Sequence, residues 1–135
     1  MRVFMTVLWI LVAVGPIAAD FNATHLFNPD WPPHARFHMM TVFTSAVAIA
    51  LFGLYTCWGP AKSRLDSLRL GAILGTVYTI SLLVAAFTMP MYGGSLYWID
   101  TKLRPISITD ENLIVFASTT LIFLILLVVL FRQSE

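Results

Sequence analysis

Four long apolar runs, residues 3–19, 39–58, 70–89 and 113–131, constrain this chain more than any other feature, because each holds 17 to 20 residues without an Asp, Glu, Lys or Arg. At about 1.5 Å rise per residue, such a run crosses a hydrocarbon core of about 30 Å. Backbone polar groups in hydrocarbon must bond within the segment, so the runs are expected to be helices. Hydrophobic residues make up 59% of the 135 positions and charged residues 11%, more grease than a soluble domain of this size can bury. The expected fold class is an all-α integral membrane protein, a single domain over 1–135 built as a four-transmembrane-helix bundle.

Polar chemistry is confined between the runs. Outer polar loops are expected at about 20–38 and 90–112. Arg2, Lys62, Arg64, Arg69 and Arg132 fall on one side, and Arg36, Lys102 and Arg104 on the other. The excess of cations places both termini in the cytoplasm and residues 20–38 on the outer or lumenal face. The first run also has the positive start, apolar middle and small residues of a secretory signal peptide. It is read here as a transmembrane helix. Asn22-Ala23-Thr24 is a glycosylation sequon, usable only in a eukaryotic secretory pathway. A net charge of +1 offers no basic face to track a phosphate backbone, so nucleic acid is not an expected partner. The lipid bilayer and an apolar small molecule are, and a homo-oligomer stays open. Cys57, alone and set in an apolar run, is read as a buried, inert thiol.

All three histidines lie in the stretch DFNATHLFNPDWPPHARFH, residues 20 to 38. Proline is tolerated in a first helical turn, so the second helix should begin near Pro32, with Asp30 or a neighbour as its cap. His34 and His38 then stand one turn apart on one face, with Arg36 pointing the other way. Helical histidine pairs at this spacing also bind metals. His25 and Asp20 complete a candidate set of catalytic groups or metal ligands if the loop folds back. Such a nitrogen and oxygen set suits Zn, Cu or Fe without choosing among them. Asn22, Asn28, Trp31, Arg36 and Phe37 are the candidate ligand-binding residues around it. Asn22, Thr24 and Asn28 also read as loop organisers, because short polar side chains bond nearby backbone. The competing reading of the whole stretch is a structural polar cap.

Elsewhere, Gly71 and Gly75 are spaced to let helices approach closely. Trp58, Tyr92, Tyr97 and Trp98 suit membrane interfaces. Asp100, Lys102, Arg104, Asp110 and Glu111 could fold over the histidines as a lid, or simply be solvated. Thr41, Thr44, Ser45, Tyr78, Thr79 and Thr88 could bond the polar end of a ligand, with bonding between helices as their ordinary role.

The run Asp20, Asn22, Thr24, His25, Asn28, Pro29, Trp31, Pro32, Pro33, His34, Ala35, Phe37, His38 resembles the signature of a family of small, uncharacterised four-helix membrane proteins of bacteria and fungi. More distantly, the layout resembles the EXPERA superfamily, the emopamil-binding-protein type of sterol isomerases and sigma-2-receptor-like proteins. That resemblance implies a proton handled by carboxylates and a histidine beside an apolar ligand. The helix cores here contain no Asp or Glu, leaving Asp20 and the histidines as the comparable groups.

The function expected is a small membrane enzyme acting on a terpenoid, sterol-like or quinone-like molecule, its histidine cluster working by acid/base or metal-assisted chemistry and its substrate entering from the bilayer. An isomerase- or cyclase-like activity fits that chemistry. The alternative is a protein that binds such a molecule, or serves as an accessory subunit, without transforming it. The cores carry no charge that would mark an ion path, which speaks against a channel. No nucleophile elbow, phosphate-binding glycine loop or dinucleotide fingerprint is present.

Overall fold

The computed structural model describes residues 1–94, 96 and 111–133, and every regular element among them is helical. The elements are α1 (Arg2–Asp20), α2 (Pro33–Trp58), α3 (Arg64–Phe87), α4 (Met89–Tyr92) and α5 (Glu111–Phe131). Four of them, all but α4, are long and apolar enough to cross a membrane. Tyr97, Trp98, Asp100, Lys102, Arg104 and Asp110, and with them most of the suggested lid, lie outside the described residues.

Charge had marked the ends of the apolar runs, but charge does not end a helix. α3 begins at Arg64, well before residue 70, because Ser63 accepts the Asp66 amide at 3.1 Å through its hydroxyl oxygen and so caps the first turn. It stops at Phe87, short of Pro90, which is accommodated instead in the first turn of α4. Gly93 then ends α4 in the left-handed conformation, φ 68°. α2 likewise begins at Pro33, with Pro32 rather than Asp30 in the cap position and no side-chain cap bond.

The chain forms two compact units, 1–71 and 72–135. In the first, α1 packs antiparallel to α2. Met5, Leu8, Trp9 and Val12 form the buried stripe of α1, and Phe43, Ala46, Ala50, Gly53 and Cys57 lie along that of α2. Trp9 is fully buried, and its indole occupies the space that a Cβ on Gly53 would need. A Cβ on Gly71 would meet the Thr56 hydroxyl and, less closely, the Met5 methyl. Cys57 is buried, as its apolar setting implied.

The C-terminal end of α2 is closed by arginines from both sides. Arg64 donates to the carbonyls of Thr56 at 3.2 Å, Cys57 at 3.0 Å and Gly59 at 2.7 Å. Arg2 Nε donates to Cys57 at 3.0 Å, and its guanidinium lies 4.1 Å from the Trp58 ring centroid. The last carbonyls of a helix have no intrahelical partner, and cations complement the negative end of its dipole. Trp58 in turn donates to Thr6 Oγ1 at 2.7 Å. Read as an interface anchor, this residue is also part of a lock between α1 and α2.

In the second unit the ring of Phe123 from α5 fills the space beside Gly75 of α3. Both glycines of the G-x-x-x-G pair therefore sit at close approaches, each to a different neighbour. Thr76 and Thr79 are buried, and their hydroxyls bond carbonyls of their own helix, those of Ala72 and Gly75, at 2.9 Å each. Thr41 and Thr44 do the same, to His38 and Met40, and Thr88, between α3 and α4, bonds back to Val84 of α3. Bonding within the helix takes the place of the expected bonding between helices.

Candidate functional site: the cap between α1 and α2

Residues 21–31 connect α1 to α2 without regular structure, yet their backbone is bonded almost residue by residue. Phe21 N–H reaches Ile17 O at 2.9 Å, Leu26 reaches Asp20 O at 3.2 Å, Phe27 reaches Asn22 O at 3.0 Å and Asn28 reaches His25 O at 3.0 Å. Two asparagines organise this path. Asn22 Nδ2 donates to Ala19 O at 2.6 Å, closing the end of α1, while its Oδ1 accepts Thr24 N–H at 2.8 Å, Thr24 Oγ1 at 2.6 Å and His25 N–H at 3.2 Å. Asn28, buried to 3% exposure, donates to Thr24 O at 3.3 Å and accepts the Asp30 amide at 2.9 Å. Arg36 ties the first turns of α2 back to the loop through Pro29 O at 3.3 Å.

This bonding places His25. Its Nε2 lies 3.5 Å from Asp20 Oδ1 and its Nδ1 lies 2.9 Å from Thr24 Oγ1, with the Trp31 ring edge-on at 5.8 Å. The order of donors follows from chemistry. Asn22 Oδ1 can only accept, so the Thr24 hydroxyl proton is committed to it, and the hydroxyl oxygen faces His25 as an acceptor. That oxygen can accept from a His25 ring that carries a proton on Nδ1. A further proton taken up by the ring has one seat, Nε2, against the Asp20 carboxylate. Asp20 and His25 are each about 30% exposed at the side chain, so the pair is reachable and partly screened from water.

His34 and His38 form a separate pair. One turn apart at the head of α2, they bring Nε2 and Nε2 to 2.9 Å, with ring centroids 4.4 Å apart at 82°. Phe37 stacks on His34 at 6.1 Å and meets His38 edge-on at 5.6 Å. Both histidines are exposed. Phe21, just past the end of α1, packs beside Phe43, whose Cα is about 15 Å along the α2 axis from that of Pro33 at ~1.5 Å per residue. The histidine pair therefore projects about 7 to 14 Å past the end of α1, on a face turned about 100° or more from the stripe that α2 presents to α1.

The sequence offered Asp20, His25, His34 and His38 as one cluster. Among the described residues no three His, Cys, Asp or Glu side chains come together at metal-ligand spacing. The four stand as two pairs. Trp31 walls one and Phe37 the other, while Asn22 and Asn28, offered as ligand-binding residues, spend their polar atoms on the loop itself, and Arg36 gives one guanidinium nitrogen to Pro29 O and buries Nε without a partner among the described residues. Thr24 was the group missed as part of the site. Its signal was present in the Asn-x-Thr-His order, which lets an asparagine oxygen collect the next residues' donors.

The match to a family model runs over residues 4–127, from within α1 through the cap, α2 and α3 into α5. The chain belongs to DUF6640, a family of unknown function. That span covers the Asp20–His25 and His34–His38 pairs, so the cap lies within the DUF6640 region rather than beside it. No curated protein and no solved structure matches the chain.

Proposed function

We propose that this protein is a four-span integral membrane enzyme that acts on an apolar molecule of terpenoid, sterol-like or quinone-like type, with the 20–38 cap as its acid/base site. The observation that carries the reading is the order Asn22, Thr24, His25, Asp20, hydrogen-bonded as far as His25 and continued by the Asp20 carboxylate 3.5 Å from its Nε2. Two neutral groups fix the imidazole tautomer, and a carboxylate faces the nitrogen that takes the mobile proton. With both ring nitrogens engaged, the Asp20 carboxylate stands on the proton-exchanging side and passes the proton between His25 and substrate; general acid/base catalysis of this kind contributes about a hundred- to ten-thousandfold in rate. Asp20 and His25 are the catalytic residues in this reading, Asn22 and Thr24 the positioning ones. His34 and His38 supply a second histidine group above them.

The membrane setting is supported by the outward faces of the long helices, where Val7, Leu11, Val14, Leu51, Phe52, Val77, Val84, Leu121, Ile125 and Val128 are all exposed. Apolar exposure on this scale suits lipid rather than water. The cation excess of 5 to 3 from Arg2, Lys62, Arg64, Arg69 and Arg132 supports cytoplasmic termini and an outer cap. The resemblance to the EXPERA superfamily points to the same class of chemistry, a proton handled beside an apolar ligand.

The test is an apolar-lipid profile of membranes from cells making the protein, the His25→Ala variant or neither. The expected result is at least one neutral species whose amount changes only with the unaltered protein. Profiles that do not differ, or that differ equally with His25→Ala, overturn the catalytic reading. A molecule that co-purifies unchanged with both forms would instead identify a binding protein or accessory subunit.

A further inference from the structure

We propose that His34 and His38 form a two-point chelate for a divalent first-row transition ion with tetragonal preference, Cu(II) above the others, distinct from the Asp20–His25 pair. The inference rests on the reading above only in treating the cap as functional; the chelate itself stands on geometry. An imidazole nitrogen binds such ions at about 2.0 to 2.1 Å, so two nitrogens 2.9 Å apart subtend about 90° at a common ion. That is the angle between neighbouring ligands in a square or tetragonal site, whereas a tetrahedral ion needs about 3.35 Å between the same atoms.

Three further observations favour occupancy by a cation. Both rings are exposed at the head of α2, past the end of α1, so an ion can approach with its remaining waters in place. Arg36, the nearest cationic side chain in sequence, is turned to Pro29 O. Phe37 packs against both rings and limits how far they can swing apart. The hydrogen bond between the imidazoles is by itself a weak reason for the pairing, since an exposed neutral bond exchanges readily with water and contributes little.

Binding balances without loss of charge from the pair. In the hydrogen-bonded form one Nε2 carries a proton and the other a lone pair. When the ion arrives, the protonated ring moves its proton to Nδ1 through solvent, and both Nε2 lone pairs bond the metal. Two protein ligands leave at least two positions for water on a four-coordinate ion. Asp20 and His25 take no part.

The experiment uses the full chain in detergent, stripped with a chelator and titrated with Cu(II), followed by calorimetry and electron paramagnetic resonance. The expected result is one ion per chain, a spectrum with nitrogen splitting from two imidazoles, affinity lower by about 100-fold in both His34→Ala and His38→Ala, and no change in His25→Ala; the size is that of losing a linked second site. Wild-type protein whose ion shows one imidazole or none overturns the proposal without relying on any variant. So does equal binding by His34→Ala, or loss of binding in His25→Ala. Because the readout is metal and not turnover, failure here leaves the Asp20–His25 reading standing, and failure of the lipid profile leaves the chelate standing.

Discussion

Asn22 and Asn28 hold the cap through bonds of different burial, and that difference sets what their loss should cost. Asn28 is buried, so Asn28→Ala removes its bonds to the Asp30 amide and the Thr24 carbonyl and leaves a gap where the side chain was, and should cost about 1 to 3 kcal/mol. Asn22 is partly solvated, and water replaces some of what Asn22→Ala removes, so about 1 kcal/mol is expected. Unfolding of the purified variants in denaturant measures both. The functional ranking should be the reverse. Asn22 is the group that commits the Thr24 proton and so fixes the His25 tautomer, and the lipid change assigned to the protein should fall further in Asn22→Ala than in Asn28→Ala. Equal losses that track stability would reduce Asn22 to a loop residue.

The helices are joined by small residues under large ones and by arginines over carbonyl ends. Gly53 lies beneath Trp9 and Gly75 beside Phe123, so Gly53→Ala and Gly75→Ala should each cost about 1 to 3 kcal/mol by overpacking. A Cβ on Gly15 would meet nothing within 4 Å beyond its chain neighbours and its own helix, but Pro16 follows it inside α1 and its ring crowds a Cβ on the preceding residue, so Gly15→Ala should gain less than the ~0.5 to 1 kcal/mol of an unhindered helical site. Thermal melts of the three variants separate packing from helix propensity. Arg64→Ala removes three bonds at the end of α2, leaving Thr56 O to Ser67 and Cys57 O to Arg2 while Gly59 O loses its donor, and should cost about 1 to 2 kcal/mol, more than Arg69→Ala, whose guanidinium pairs with exposed Asp66. The helices themselves were legible from four apolar runs, and the His34–His38 pairing from a four-residue spacing, because both are local periodicities. The arginine closure of α2 was not, since Arg2 and Cys57 meet only when α1 folds back on α2. The division of Asp20, His25, His34 and His38 into two pairs was hidden for the same reason: it depends on how far α2 continues past the end of α1.

At the scale of the whole molecule, an outer cap and cytoplasmic ends predict opposite labelling at two exposed sites. Cysteine placed at Phe27, in the cap, should react with a membrane-impermeant maleimide on intact cells, and cysteine placed at Lys62 should react only after lysis; buried Cys57 should stay silent in both. The reverse pattern would invert the topology and move the histidines to the cytoplasm. Beside four helices long and apolar enough to cross a membrane, the chain has three histidines, all within residues 20–38, and one spectrum reads them all. Nitrogen-15 resonances of labelled histidine in the detergent-solubilised chain test the ordered cap most directly. The predicted result is a His25 ring protonated at Nδ1, whose Nε2 signal shifts in Asp20→Asn and whose Nδ1 proton is lost from that position in part of the population in Thr24→Val. A His25 ring with a bare Nδ1, indifferent to both substitutions, would contradict it.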